Sequence, residues 1–328
     1  MATESRILIP DPAGIAAAAA ILRDGGLVAV PTETVYGLAA RADDAAAVAG
    51  IYAAKGRPSF NPLIVHVADL AQAETLALFS PLALRLAAAF WPGPLTLVLP
   101  RRADAPVAAL VTAGLATIAL RCPAHPVMQA LVRAVGPLAA PSANASGRIS
   151  PTKAAHVRDS LDVPVIDAGP CAAGVESTII AVEAGGWRLL RAGAVTVEQV
   201  ETVGGPPVTP PDQVRGRLFA LGGSPLSRKG SEVEAPGMMA SHYAPTQPVR
   251  LEALTAAPDE FHIGFGAVAG DATLSAGGDL AEAAARLFDL LHVAQASGRA
   301  GIAVAPVPHQ GLGLAINDRL ARAAAPRD

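Results

Sequence analysis

The chain has 328 residues, more than one compact domain holds at the usual ~150 residues, so two cores are expected. Its 25 Lys and Arg against 28 Asp and Glu leave a net charge of −3, which excludes a chain-wide basic coat for nucleic acid though not a local basic cleft. With 52% hydrophobic and 16% charged residues it can bury a sizeable core, and two cysteines exclude a disulfide scaffold or a four-cysteine zinc site.

A mean hydropathy of +0.39 invites a membrane reading, but alanine supplies much of it. The best candidate span, Ala105 to Leu120, is broken by Pro106, Thr112, Gly114 and Thr117, and falls short of the roughly 20 residues that cross a bilayer. The opening MATESRILIPDPAG lacks a basic segment followed by an apolar one, so no secretory signal is read there and a reducing cytoplasm is the expected location.

In chain order, Ile15 to Arg23 reads as an alanine-rich helix stopped by Gly25-Gly26, and Leu27 to Val30 as a buried strand ending at Pro31. The polar cluster Pro31 to Ala40 follows as a loop. Helices are predicted at Asp43 to Ala54, Pro81 to Phe90, Pro126 to Ala134 and Thr152 to Asp159. Strands are predicted at Leu63 to Val67, Leu95 to Leu99, Thr117 to Leu120 and Leu138 to Ala140. Ser177 to Val182 and Trp187 to Arg191 flank Glu183-Ala184-Gly185-Gly186 as a hairpin. This alternation predicts a mixed α/β sheet over residues 1–203. Residues 204–246, rich in Pro and Gly, read as a linker or a functional covering segment. Residues 247–328 form a smaller α/β unit, with strands at Val249 to Leu251, Phe261 to Phe265 and Ile302 to Ala305, and helices at Leu280 to Ala296 and Ala315 to Ala325.

Four clusters carry residue types suited to chemistry. PTETVYGLAA, Pro31 to Ala40, puts Thr32, Thr34 and Tyr36 where a strand leaves the sheet, either as a ligand site or as an ordinary polar loop. Lys55 and Arg57, spaced around Gly56, could clamp phosphate or simply cap a helix C-terminus, with Asn61 close behind. His66 lies in an apolar strand, where a satisfied core histidine is the alternative to a ligand-binding one. Arg121 ends a strand, and its planar fork suits either a carboxylate ligand or a structural ion pair. Ser142, Asn144 and Gly147, followed by Ser150 and Thr152, suit a loop wrapping a nucleotide, although Ser150 or Thr152 could equally cap the next helix. Neither GxxxxGK[ST] nor GxGxxG occurs among them. The residues by themselves reach only a small-ligand site in the first domain.

Taken in order, PTETVYGL, KGRPSFNPLIVH, WPGPLTLVL, TIALRCP, APSANASGRISPT, ESTII and LLRAGAVT closely resemble the YrdC/Sua5 family of threonylcarbamoyl-AMP synthases across nearly all of residues 20–200. Lys55/Arg57 and Ser142/Asn144 match that family's KxR and SxN signatures. The linker ending EAPGMMASHYAP and the extra C-terminal unit resemble its longer, two-domain form. The resemblance implies a YrdC-like twisted open mixed sheet with flanking helices, plus a smaller Rossmann-like C-terminal domain. It implies that L-threonine, bicarbonate and ATP give L-threonylcarbamoyladenylate and pyrophosphate. A downstream threonylcarbamoyl transferase complex would use that product on tRNA; no membrane partner is expected, and direct stable tRNA binding by this chain is doubtful.

Carried over by motif, Thr34, His66, Arg121, Ser142 and Ser177 would surround threonine. Lys55, Arg57, Asn61, Thr117, Asn144, Thr152, Arg191 and Tyr243 would surround ATP, with Lys55 and Arg57 as the catalytic cations. His242 and Tyr243 are the candidates for a lid. Mg2+ would arrive bound to ATP, because no carboxylate cluster suggests a dedicated metal site. One rival is the carbamoyl-adenylate-forming enzyme of hydrogenase maturation, which resembles a longer chain with cysteine-rich zinc modules that two cysteines cannot supply. The other is a double-stranded RNA or tRNA-binding module, disfavoured by the charge of −3.

Overall fold

A computed structural model describes residues 7–208 and 242–326. The first domain holds strands β1 Ile7–Leu8, β2 Val28–Val30, β3 Gly37–Arg41, β4 Ile64–His66, β5 Leu95–Pro100, β6 Thr117–Arg121, β7 Leu138–Ala139, β8 Val165–Ile166, β9 Thr178–Glu183 and β10 Gly186–Arg191. Its helices are α1 Pro12–Arg23, α2 Ala45–Lys55, α3 Leu70–Glu74, α4 Pro81–Phe90, α5 Ala109–Thr112, α6 Pro126–Val135, α7 Ala154–Arg158 and α8 Val197–Gly204. The strands form one mixed sheet in the order β1-β8-β2-β3-β7-β4-β6-β5-β9-β10. The second domain has a parallel sheet ordered β11-β14-β12-β13, from β11 Val249–Arg250, β12 Glu260–Gly264, β13 Ala272–Thr273 and β14 Gly301–Val304. Helices α9 Leu280–Ala296 and α10 Leu312–Ala324 complete it.

Local chemistry sets the elements that carry the site. Asp44 caps α2 by accepting from the amides of Ala46 and Ala47, and Gly56 ends it in the left-handed region at φ 58°. That glycine lets the chain reverse after Lys55, so Lys55 ends the helix buried and Arg57 begins the next loop. The central strands β4, β5 and β6 are almost wholly buried, as expected for runs packed on both faces. One apolar cluster runs from Leu38 and Leu97 in the first domain through Tyr243 to Phe288 and Ile302 in the second, so the two sheets share a continuous core. At their contact Gly174, at φ 68°, packs so tightly that a Cβ would lie 2.4 Å from the Ala284 carbonyl oxygen.

The structure bears out a mixed sheet plus a second α/β domain and corrects several boundaries. The loop read over Pro31 to Ala40 is half strand: β3 pairs antiparallel with β2. The short strands β1 and β8 and helix α8 were not anticipated, and α10 starts at Leu312 rather than Ala315. The hairpin turn is tight, with Gly186 opposite Glu183. Of the 204–246 segment, residues 209–241 lie outside the described residues, while His242 to Thr246 are described and lie against the first domain and α9. No described helix is long and apolar enough to cross a membrane.

Candidate active site

The register of the sheet brings two functional side chains side by side. His66 at the end of β4 pairs with Arg121 at the end of β6. Arg121 is nearly sealed from solvent, and its fork is fixed on three sides. Its Nη2 pairs with Glu33 Oε1 at 2.7 Å, Nη1 donates to Thr34 Oγ1 at 2.9 Å, and Nε donates to the Gly93 carbonyl at 3.3 Å. Thr34 is itself set by a turn in which Thr32 Oγ1 accepts from the amides of Thr34 and Val35. Burial, the largest single influence, raises the Glu33 carboxyl, but the Arg121 charge and hydrogen bonds from Arg121 and backbone amides together outweigh it and leave the pKa lowered. Burial, then the Arg121 charge, pushes the His66 imidazole down to about 3, so the ring is neutral, and its buried Nδ1 has no hydrogen-bond partner among the described residues.

These groups open onto a cavity of about 50 Å³, room for several water-sized groups. All five residues expected around threonine, Thr34, His66, Arg121, Ser142 and Ser177, line it. Ser177 is held by Thr96 at 2.7 Å between hydroxyls, and Arg191 donates to its carbonyl and hydroxyl. Arg57 and Arg191 join Arg121 as basic side chains of the wall, which His242 and Tyr243 also line. Arg57 donates to the carbonyls of Asn61 and Pro62, and burial lowers its pKa to about 10.

The remaining nucleotide candidates stand back from this cavity. Lys55 is buried with its ammonium on the carbonyls of Ser142 and Asn144, so it ties α2 to the loop that carries the SxN residues. Burial, followed by the Arg57 charge, drives its pKa well below the usual lysine value. Asn61 keeps both amide atoms buried with no hydrogen-bond partner among the described residues, and the same holds for Asn144 Oδ1. Such atoms in a folded protein fit a polar ligand. Thr152 contacts His156 through its amide and hydroxyl. Thr117 sits at the opposite end of β6 from Arg121, roughly 13 Å of strand away.

Sequence reasoning did not find Glu33, Glu176 or Arg319. Glu176 lines the cavity, accepts from Ser150 at 2.5 Å and pairs with Arg319 of α10 at 2.9 Å. Glu33 lies inside the quoted PTETVYGL motif, and its acidity beside the hydroxyls was the available signal; the Glu176–Arg319 pair spans 143 residues and has no local signature. Tyr243 sits at φ 62° with a buried hydroxyl that has no hydrogen-bond partner among the described residues, and the Ala244 amide donates to the Gly147 carbonyl at 2.9 Å.

A family model labelled Sua5/YciO/YrdC and described as telomere recombination matches residues 20–193. The chain belongs to the Sua5/YciO/YrdC family. A second model, described as the threonylcarbamoyl-AMP synthase C-terminal domain, matches residues 195–325, so this member has the long two-domain form. The threonylcarbamoyl-AMP synthase of Bacillus subtilis is 42% identical over 95% of this chain and 93% of its own. That of Pyrococcus abyssi is 40% identical over 93% and 92%. The crystal structure of Pyrococcus abyssi Sua5 complexed with L-threonine superposes with a TM-score of 0.85 at 38% identity, covering 97% of each chain.

Proposed function

We propose that this chain is an L-threonylcarbamoyladenylate synthase, converting L-threonine, bicarbonate and ATP into threonylcarbamoyl-AMP and pyrophosphate for tRNA modification. The observation that carries the reading is the gathering of Arg121, His66, Thr34, Ser142 and Ser177 on one cavity whose wall also holds Arg57 and Arg191. A guanidinium fork suited to a carboxylate and a basic wall suited to phosphate thus line one cavity, as a reaction joining an amino acid to a nucleotide requires.

In this reading the α-carboxylate of threonine meets the Arg121 edge, which Glu33 and Thr34 hold in orientation. The neutral His66 neither repels Arg121 nor brings a charge beside the amine. The threonine ammonium and bicarbonate give a carbamate, one water and one proton. A carbamate oxygen then bonds to the α-phosphorus of ATP as the bond to pyrophosphate breaks. Charge builds on phosphate oxygens, and fixed cations that need not reorganise stabilise it. Arg57 and Arg191 are placed for this, with Lys55 fixing the Ser142–Asn144 loop from behind. Magnesium enters as part of the MgATP substrate; the described residues hold no cluster of three metal-ligating side chains. His242 and Tyr243 cover the cavity and limit water, which would hydrolyse the adenylate. The cytoplasm, where ATP and tRNA meet, is the proposed location.

The test is ATP–pyrophosphate exchange by the purified chain. Exchange that requires both threonine and bicarbonate, without RNA, supports the reading; exchange independent of threonine refutes it.

A further inference from the structure

We propose that Arg319, on the C-terminal helix α10, is a positioning residue of the active site, holding two walls of the ligand cavity from the other domain. This rests on the synthase reading of that cavity. Arg319 is fully buried. Its Nε donates to Glu176 Oε2 at 2.9 Å, and its Nη1 donates to the Ala192 carbonyl and, at 3.0 Å, to Asp318. Its guanidinium carbon lies 5.5 Å from the centre of the Tyr243 ring, within cation–π range. Glu176 and Tyr243 both line the cavity. One side chain of the second domain therefore grips the wall and the cover of a pocket otherwise built by the first domain and the segment His242–Tyr243.

An ion pair is a costly way merely to join two domains. Removing a guanidinium and a carboxylate from water costs several kcal/mol per ion, and apolar contact does the same joining without that loss. The continuous apolar core and the close fit of Gly174 against α9 already supply such contact. What the pair adds is orientation. Glu176 uses its other oxygen to accept from Ser150, and its neighbour Ser177 takes the hydrogen bonds of Arg191. Burial would raise the Glu176 carboxyl, yet the charges of Arg319 and Arg191 keep its pKa lowered, so it stays ionised as an acceptor. Tyr243 is backed by Phe288 of α9, ring centres 5.5 Å apart, and the preceding His242 amide donates to the Arg322 carbonyl of α10. Asp318 pairs with both Arg319 and Arg322, tying these supports into one unit. The loop after Ser150 is braced from α9 as well, through His292 on the Ser150 carbonyl and Asp289 on Lys153.

The experiment is calorimetry with a non-hydrolysable ATP analogue in the presence of threonine, on the full chain, Arg319→Lys and Arg319→Met. Arg319→Lys keeps the buried charge, and with it the fold, but its single nitrogen on a shorter reach replaces the two spaced nitrogens by which the planar fork holds Glu176 on one side and Ala192 and Asp318 on the other. The expected result is a Kd about tenfold weaker in Arg319→Lys, weaker still in Arg319→Met, with binding stoichiometry unchanged. A purely structural role would lower stoichiometry and melting temperature while leaving Kd alone. A Kd within twofold of the unaltered chain in Arg319→Lys overturns the proposal. The synthase reading fails separately, through an unaltered chain that binds both ligands but forms no adenylate.

Discussion

Arg121→Lys separates the two substrates. The guanidinium serves Glu33, Thr34 and the Gly93 carbonyl at once and still presents an edge to the cavity. A lysine ammonium has three donors and no planar fork, and with Glu33 beside it the charge turns toward that carboxylate. The substrate carboxylate then loses at least one charge-assisted hydrogen bond, about 1.5–3 kcal/mol, or roughly 10- to 150-fold in affinity. ATP has no assigned contact with Arg121, so its Kd should move less than about threefold. Calorimetry with each ligand alone reads both values. Equal weakening of threonine and ATP, or threonine binding within threefold of the unaltered chain, would refute the role given to Arg121.

Three further outcomes are expected. Arg57→Ala and Lys55→Ala should each lower kcat/KM by about 2–4 kcal/mol of transition-state stabilisation, roughly 30- to 900-fold, the first by removing charge from the wall and the second by freeing the Ser142–Asn144 loop; near-normal turnover would leave both as helix-end cations. The pKa values of His66, His156 and His242 are lowered to about 3, 4 and 3, so between pH 6.5 and 4 the unfolded chain binds more protons than the folded one. The stability they contribute is present above pH 6.5 and is lost as pH falls, and His66→Gln should flatten the pH 4.5–6 slope by about 1.4 kcal/mol per unit in urea unfolding; an unchanged slope contradicts a buried neutral His66. Gly174→Ala should cost about 2–4 kcal/mol, combining left-handed strain with overpacking against α9, and an unaltered melting temperature would contradict the tight domain contact.

Much of this was legible where a local rule decides. Pro81–Phe90 and Leu280–Ala296 carry capping residues at Ser80 and Asp279 and clear helical spacing, and both were read with their observed bounds. Strand β3 was missed because Gly-Leu-Ala-Ala has weak strand preference, and its neighbours β2 and β7 supply the pairing instead. Helix α8 has a local start signal in the Thr196–Gln199 capping box, but the helix that follows it is only eight residues long. Arg121 was legible as a strand-end fork, but its two readings are not exclusive: it pairs with Glu33 and also lines the cavity. Lys55 shows the limit from the other side, since spacing alone cannot tell that its ammonium turns to carbonyls. Arg319 sits in a pattern, RLARAA, that reads as an ordinary helix end, and only the docking of the second domain buries it against Glu176.

The most direct measurement is mass spectrometry of a quenched reaction containing the full chain, threonine, ATP, magnesium and 13C-bicarbonate, without RNA. The account predicts threonylcarbamoyl-AMP carrying one 13C and an equal amount of pyrophosphate. ATP consumed without a labelled threonine adduct, or an adenylate formed from carbamoyl phosphate with no need for threonine, would contradict it.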